Sequence, residues 1–295
     1  ALGGLLYLSG ALTVYSVCAV LFSLSTALTL WVRYAHVARH NSLSWQSLFA
    51  GVAFVWERKV LLGAISLDLF AVLLGGATAL LSITGGTFTS NVDITKGGGT
   101  GTTATVTLNG ASAVMDMKSK ALGSASQTIV FNANAGTLRN LGEYNGGGTL
   151  TVGAAASTLT LAGANAYSGI TSVSAGTLKF GVANAIPVGV GKGLVAIASG
   201  ATLDLAGYNG QLNFSGAGAG TIDNVSATDV TLTIGGNDAG GAYGGVIQNS
   251  ATGKLNLTKT GSGTITLSGA NTFSGTTTVN GGTLNIGAAN AITST

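Results

Sequence analysis

The stretch TITLSGANTFSGTTTVNGGTLNIGAANAI at 264–292 repeats the stretch at 158–186 without a gap, and 18 of the 29 positions are identical. The shared pattern is a run of alternating residues, a G-A-N turn, one aromatic residue, an S-G turn, a second run and then G-T-L and A-N-A-I. Repeats of this kind bury their apolar faces only against neighbouring copies. The repeat therefore limits the chain to a stacked architecture more strongly than any other feature does.

Each run within the repeat predicts a short β-strand. Thr, Ser or Asn alternates with Leu, Ile or Val, which is typical of a half-buried strand, and the bounding Gly and Asn accept the positive φ of tight corners. A coil of ~20 residues buries too few aliphatic side chains to offset an ordering cost on the order of 1.5 kcal/mol per residue. We therefore expect a stacked β-solenoid over 82–295, with inward-facing Leu159, Leu161, Leu178, Ile265, Leu267 and Leu284.

The first 81 residues have a different composition. All three Trp, both His and the one Cys precede residue 82, whereas 41 of the 48 Gly follow residue 81. Two apolar runs, 12–32 and 60–81, are each long enough to cross a bilayer core of ~30 Å. The sequence thus predicts a transmembrane helical segment, residues 1–81, ahead of the solenoid.

The connection between the two apolar runs, residues 33–59, carries most of the positive charge of this segment. Arg33, Arg39, Arg58 and Lys59 lie in it against a single acid. Positive residues in short loops stay on the cytoplasmic side, so both ends of the segment are expected on the outer side. Spacing within the loop also fits a short helix along the membrane surface.

Asp68 is the candidate functional residue of the first segment, because it is the one charged residue in the run 60–81. An acid inside a membrane helix is costly and usually functional. A role in transport is one interpretation, and packing against a partner helix or polar neighbours is the other.

The Gly-rich segment lacks the residues that most enzymes use. It contains no His, Cys or Trp, and its seven acids form no close pair in the sequence, which excludes most general-base, thiol and zinc arrangements. The runs 96–103 and 189–194 lack the spacing of a phosphate loop, and GGNDAGG at 235–241 is half of a calcium nonapeptide or simply a turn. We therefore predict no catalytic residue, no metal site and no cofactor.

The aromatic residues of the same segment allow two interpretations. They form a sugar-stacking stripe if they align on one outer face, or they pack in the core and at turns. The residues concerned are Tyr144, Tyr167, Tyr208, Tyr243 and Phe273.

The run KTGSGTITLSGANTFSGTTTVNGGTL at 259–284 resembles the autotransporter-associated β-strand repeat of bacterial surface proteins, and the resemblance extends more weakly over 82–258. It implies a right-handed parallel β-helix in a passenger region, exported to the periplasm or cell surface of a Gram-negative-type bacterium. It implies a structural repeat without catalytic residues. Contacts with cell-surface partners or polysaccharide are the expected interactions, and no basic tract points to nucleic acid.

The run FVWERKVLLGAISLDLFAVLLGGATALL at 54–81 resembles drug-efflux transporters of the major facilitator superfamily. Three interpretations of the whole chain follow. The first is a non-enzymatic surface protein for display or adhesion, whose solenoid is fused to a transporter fragment near residues 81–82. The alternative is a truncated efflux transporter whose reading frame runs into unrelated repeats. The third is that the join arises from sequence assembly and that the two segments are unrelated.

Overall fold

The computed structural model describes residues 79–96, 103–216, 218–238, 240–289 and 291–292. The chain divides into two units at residues 77 and 78, and all of the described residues lie in the second unit. Their regular structure is β-strand, so the mainly β fold expected from the sequence is confirmed for this unit.

Nineteen short strands follow one another along the described residues. Most have three to five residues, and a Gly or Asn lies within three residues after every strand except β3, which is followed by a turn with positive φ at Lys118 and Ser119. In chain order they are β1 Ala79–Ile83, β2 Thr87–Thr89, β3 Ala104–Asp116, β4 Ile129–Arg139, β5 Leu150–Val152, β6 Thr158–Ala162, β7 Thr171–Val173, β8 Thr177–Phe180, β9 Leu194–Ile197, β10 Thr202–Asp204, β11 Gly210–Phe214, β12 Thr221–Asp223, β13 Val230–Ile234, β14 Gly241–Tyr243, β15 Val246–Gln248, β16 Leu255–Lys259, β17 Thr264–Leu267, β18 Thr277–Val279 and β19 Thr283–Ile286.

The strands pair in parallel, each with the strand of the next coil. One sheet has nine strands in the order β1-β3-β4-β6-β8-β10-β12-β15, with β2 also paired to β3, a second has seven in the order β18-β16-β13-β11-β9-β7-β5, and a third has β14-β17-β19. Every neighbour is reached only after the chain has left the sheet and returned. This is a parallel β-solenoid of about eight coils.

The core is a column of aliphatic side chains along the stack. Paired residues in the nine-stranded sheet show its period, since they recur about 19 or 25 residues apart. All five residues of this column are fully buried: Leu159, Leu178, Leu203, Ile222 and Ile247. Leu161, Ile265 and Leu267 are buried as predicted, and Leu284 in the last coil is partly buried against the core.

The first strand corrects the predicted end of the second membrane helix. Residues 79–81, which were expected to end the helix over 60–81, belong to β1, and β1 pairs with β3 along its whole length. Leu80 is exposed, whereas Leu81 packs against the core and Ile83 is buried. The alternation of exposed and buried residues that is typical of a strand therefore begins before Ser82. In the sequence this alternation is not visible, because residues 79–81 are all apolar. The rest of the predicted helices lies outside the described residues.

The two copies of the repeat adopt the same local structure. In the first copy β6 and β8 pair with each other and flank β7 in sequence, and β17, β18 and β19 repeat this arrangement in the second. The Gly of the G-A-N turn shows why the motif needs this residue. A Cβ on Gly269 would lie 1.8 Å from the backbone oxygen of Gly245, and Gly163, its counterpart, has a φ of +69°.

We expect Leu203→Ala to lower the free energy of unfolding of the full chain by about 2–5 kcal/mol, because it opens a cavity in the fully buried column. Thr202→Ala is the matched control, since the neighbouring side chain faces outward, and its effect should stay within about 0.5 kcal/mol. Urea unfolding followed by circular dichroism measures both values. Equal effects of the two substitutions would contradict the assigned inward face.

Candidate functional site

The Asn of the G-A-N turn joins three successive coils in the first copy of the repeat. The Asn165 side-chain oxygen accepts a hydrogen bond from the backbone N–H of Leu141 at 2.9 Å, in the coil before. Its amide nitrogen donates to the carbonyl of Ala185 at 2.9 Å, in the coil after. One side chain thus forms hydrogen bonds with backbone groups of the two coils on either side of its own coil.

The second copy repeats this bridge at the equivalent residue. Asn271, which is buried, accepts from the N–H of Ile247 at 2.7 Å and donates to the carbonyl of Ala291. Ala291 belongs to the A-N-A-I motif that ends the repeat, so two separated sequence motifs meet at one hydrogen bond. An Asn suits this position because its amide carries a separate acceptor and donor, one for each of the two neighbouring coils.

A second polar bridge lies at the S-G turn. The backbone N–H and hydroxyl of Ser168 donate to the Glu143 carboxylate, and those of Ser274 donate to the side-chain oxygen of Asn249. Burial alone would raise the pKa of Glu143, but the hydrogen bonds from Ser168 and from nearby backbone N–H groups lower it below the ordinary value. Both acceptors therefore fix a turn in the next coil.

The aromatic residues considered as a sugar-stacking stripe lie mostly inside the solenoid. Tyr144, Tyr167, Tyr243 and Phe273 are buried, whereas Tyr208 is 39% exposed. A stripe on an outer face is therefore wrong, and the alternative of core and turn packing is confirmed.

The two most deeply buried tyrosines each satisfy their hydroxyl internally. The Tyr167 hydroxyl lies 2.8 Å from the hydroxyl of buried Thr171, and the Tyr243 hydroxyl donates to the carbonyl of Gly220 at 2.9 Å. The Tyr243 ring also stacks on Phe214, with ring centroids 4.7 Å apart. Burial raises the pKa of both tyrosines.

A column of charged residues crosses the nine-stranded sheet. It includes two acids that form no close pair in the sequence. Lys179, Asp204 and Asp223 are register partners on three successive strands, and Gln248 follows them. Burial raises the pKa of Asp204, the Asp223 charge raises it further and Lys179 opposes both. Stacking of successive coils places Asp204 beside Asp223, although the two are far apart in the sequence. Only the pairing register of the strands reveals this proximity.

The Asp204 and Asp223 carboxylates are used by the protein itself. Asp204 accepts from the backbone N–H of Ala206 at 2.7 Å. Asp223 accepts from the Gln248 amide at 2.7 Å and from the N–H of Ser250 at 2.9 Å. These contacts hold turns in place, as the Asp of a turn does.

A separate ion pair lies near the start of the solenoid. The Arg139 guanidinium contacts the Asp116 carboxylate at 2.9 Å, and the Asn140 amide donates to the same carboxylate at 2.8 Å. Burial alone would raise the pKa of Asp116, but the hydrogen bonds from Asn140, from the Lys118 N–H and from Arg139 hold it below its ordinary value.

Lys259 lies at an inward position of β16, in register with buried Ile234. Its ammonium donates to the carbonyls of Thr260, Gly261 and Gly281, so it fastens a turn to the next coil. Burial lowers the pKa of Lys259, and the charge of Asp238 opposes this shift.

Residues 235–238 of the segment that was compared in sequence with a calcium site form a turn. Asp238 has a φ of +62° and its carboxylate accepts from the N–H of Ser262 at 2.8 Å. Within the described residues no group of three or more His, Cys, Asp or Glu could hold a metal ion. Run 96–103 is only partly described. Residues 189–191 of the run 189–194 are exposed in the loop that leads into β9, and Gly193 is buried.

One cleft of about 600 Å³ lies beside the first half of β4. Thr128, Val130, Asn132 and Asn134 line one side, and Thr151 of β5 lines the other. None of the residues that line this cleft is charged. Uncharged hydroxyl, amide and backbone groups are thus the chemistry that the cleft offers.

Asp68, the candidate transport residue, lies outside the described residues, as do the predicted helix 12–32 and the loop 33–59. Among the residues that are described, there is no helix with the length and hydropathy needed to cross a membrane. The transmembrane pair and the transport role of Asp68 remain predictions from the sequence.

Comparison with known families gives one match. Residues 156–180 and 257–286 match the family described as the passenger-associated-transport-repeat. No curated protein and no solved structure matches the chain. The matched segments contain β6, β7 and β8, the last three residues of β16, and β17, β18 and β19. The resemblance to the autotransporter repeat is confirmed there. Nothing in the comparisons supports the resemblance of 54–81 to efflux transporters.

We expect Asn271→Ala to lower the free energy of unfolding by about 2–4 kcal/mol. The substitution removes the partners of the Ile247 N–H and the Ala291 carbonyl, and each buried group left without a partner costs about 1–3 kcal/mol. Asn285→Ala is the control, because that exposed side chain only donates to a Thr266 hydroxyl. Chemical unfolding of the full chain measures the difference. A cost for Asn271→Ala no larger than that of the control would show that the bridge does not stabilise the stack.

The buried tyrosines predict a loss of stability in alkali. Because the pKa of Tyr167 and of Tyr243 is raised on folding, the unfolded chain loses these protons first, and stability falls as the pH rises above about 10. Tyr167→Phe should cost about 1–2 kcal/mol at pH 7, because Thr171 loses its partner. It should also make the decline above pH 10 shallower.

Thermal unfolding between pH 7 and 11 measures this decline. Tyr208→Phe is the control for a tyrosine on the surface, and it should leave both the neutral stability and the alkaline slope unchanged. An alkaline slope that Tyr167→Phe leaves as steep as in the parent chain would contradict the assignment.

Proposed function

We propose that the solenoid is a non-enzymatic scaffold of the autotransporter passenger type, exported and displayed on the bacterial surface. The observation that supports this most directly is the match of 156–180 and 257–286 to the passenger-associated-transport-repeat. The matched segments hold the Asn165 and Asn271 bridges, so the residues that define the repeat are those that join coils. Their role is mechanical continuity of the stack.

The use of polar groups in the described unit agrees with a scaffold. The Asp, Glu, Asn and Lys side chains that lie close together hold turns and neighbouring coils through hydrogen bonds. Catalysis requires groups held ready for substrate rather than committed to the backbone of the protein. We therefore assign the described acids and the buried lysine to structure.

Display on a surface also agrees with the outer face of the solenoid. Outward positions of the strands are mainly Thr, Ser and Asn, for example Thr158, Thr160 and Asn256. Such hydroxyl and amide groups exchange hydrogen bonds with water or with sugars at little net cost. Weak contacts with cell-surface polysaccharide are the adhesive role that we propose for this face.

The proposal predicts that the solenoid is accessible from outside the cell. Val190 lies in the loop between β8 and β9 and is fully exposed, so an epitope tag inserted beside it should not disturb the core. We expect antibody to label intact cells of the host bacterium that carry the tagged chain. Labelling that appears only after lysis would contradict surface display. A tagged cytoplasmic protein in the same cells controls for leakage.

A further inference from the structure

Four Asn residues of the chain are followed directly by Gly, and the structure restrains them to different degrees. An Asn–Gly bond is prone to spontaneous deamidation, because no Cβ hinders the Gly nitrogen when it attacks the preceding side-chain amide. The attack closes a ring across the two residues, so it needs a free amide, a free Gly N–H and a backbone that can bend. The four residues are Asn109, Asn145, Asn209 and Asn280.

Hydrogen bonds or a strand restrain three of the four. Both side-chain atoms of Asn145 are bonded, since the oxygen accepts from the Ile129 N–H at 2.8 Å and the nitrogen donates to the Ile129 carbonyl at 2.9 Å. The Asn209 side-chain oxygen accepts from the Thr231 N–H at 2.7 Å. Asn109 lies within β3 and pairs with β4, so the ladder keeps its backbone extended.

In the part of the chain that the structure describes, Asn280 is restrained at neither reacting group. It is exposed in the turn between β18 and β19, and no hydrogen bond reaches its side chain or the N–H of Gly281. The contacts of this turn use other backbone groups. The Asn280 N–H donates to the Lys259 carbonyl at 2.8 Å, and the Gly281 carbonyl accepts from the Lys259 ammonium at 3.1 Å.

The first copy of the repeat has other residues in the equivalent turn. In the gapless alignment of the two copies, Ser174 and Ala175 correspond to Asn280 and Gly281. The Ser174 hydroxyl donates to the Val152 carbonyl at 3.2 Å. The turn between β7 and β8 therefore forms without an Asn–Gly bond, and the first copy supplies substitutions that this turn accepts.

We propose that Asn280 is a site of spontaneous deamidation and isoaspartate formation. The Gly281 nitrogen attacks the Asn280 side-chain carbon, a C–N bond forms, and the amide nitrogen leaves as ammonia with the proton of the Gly281 N–H. Water then opens the cyclic imide at either carbonyl, which leaves aspartate or isoaspartate at this position. The Lys259 ammonium on Gly281 favours the negative charge that develops on the attacking nitrogen. This inference goes beyond the scaffold role and does not depend on surface display.

The isoaspartate product should loosen the turn from Lys259. Isoaspartate adds a carbon to the main chain between the Asn280 N–H and the Gly281 carbonyl, which are the two groups that bind this lysine. A longer chain between two fixed contacts cannot keep both of them in place. The coil formed by β18 and β19 should then open more readily.

The test incubates the purified full chain in mildly alkaline buffer, either folded or in guanidinium chloride, and follows deamidation by tryptic digestion and mass spectrometry. In the folded chain, position 280 should react at least about tenfold faster than the other three Asn–Gly bonds, or about 1.4 kcal/mol in activation free energy. In the unfolded chain the four rates should be similar, because the restraints are gone. Trypsin places each bond in its own peptide: 97–118, 140–179, 193–254 and 260–295.

Substitutions taken from the first copy identify the reacting bond. Asn280→Ser should remove most of the modification of peptide 260–295. Gly281→Ala should slow the reaction at least about tenfold, because its methyl group hinders the attacking nitrogen. Asn285→Ser is the matched control, because this exposed Asn precedes Ile286 rather than Gly. It should leave the rate at position 280 unchanged.

The outcomes decide the proposal while circular dichroism confirms that each variant is folded. Hydrogen–deuterium exchange compares fresh chain with chain converted to isoaspartate. Fast reaction at position 280, with faster exchange in β18 and β19 after conversion, supports the proposal. Absence of a preference for position 280 in the folded chain, modification of peptide 260–295 that survives Asn280→Ser, or unchanged exchange after conversion would each overturn it.

Discussion

The hydrogen-bond ladder between successive coils is the interaction on which the solenoid depends. A parallel strand directs alternate backbone groups to its two neighbours, so a coil is satisfied only when another coil lies on each side. The bridges from Asn165 and Asn271 extend the same dependence to the turns, because each amide closes one group in the coil before and one in the coil after. The column of buried Leu and Ile then adds apolar burial that no single coil provides.

The same dependence accounts for the hydrogen bonds of several charged side chains and for a gap in the ladder. Glu143, Asp223 and Lys259 each form hydrogen bonds with a turn of a neighbouring coil. Conversely, an interrupted ladder leaves backbone groups facing a cleft. The first half of β4 and β5 are not paired in the described sheets, whereas β13 and β16, their counterparts in the second copy, pair over five residues.

The sequence predicted the stacked β-architecture because the alternation and the repeat are local features. The inward positions of Leu161 and Leu267 follow from period-2 alternation alone. The pairing of Asp204 with Asp223 could not be predicted, because it depends on coil length and register. The residues ALL at 79–81 fit a helix and a strand equally well in the sequence, and only their pairing with β3 distinguishes the two.

The distance between spin labels at residues 158 and 246 tests the stacked register most directly. Thr158 and Val246 are linked through Thr177, Thr202 and Thr221 by four successive register pairs. Four coil steps of about 4.8 Å place their backbones about 19 Å apart. The chain for this measurement carries Cys18→Ser, Thr158→Cys and Val246→Cys, with a spin label on each of the two new cysteines. Double electron–electron resonance should give a narrow distance distribution near this value, allowing for the label linkers. A broad distribution, or one centred above about 40 Å, would contradict the stack.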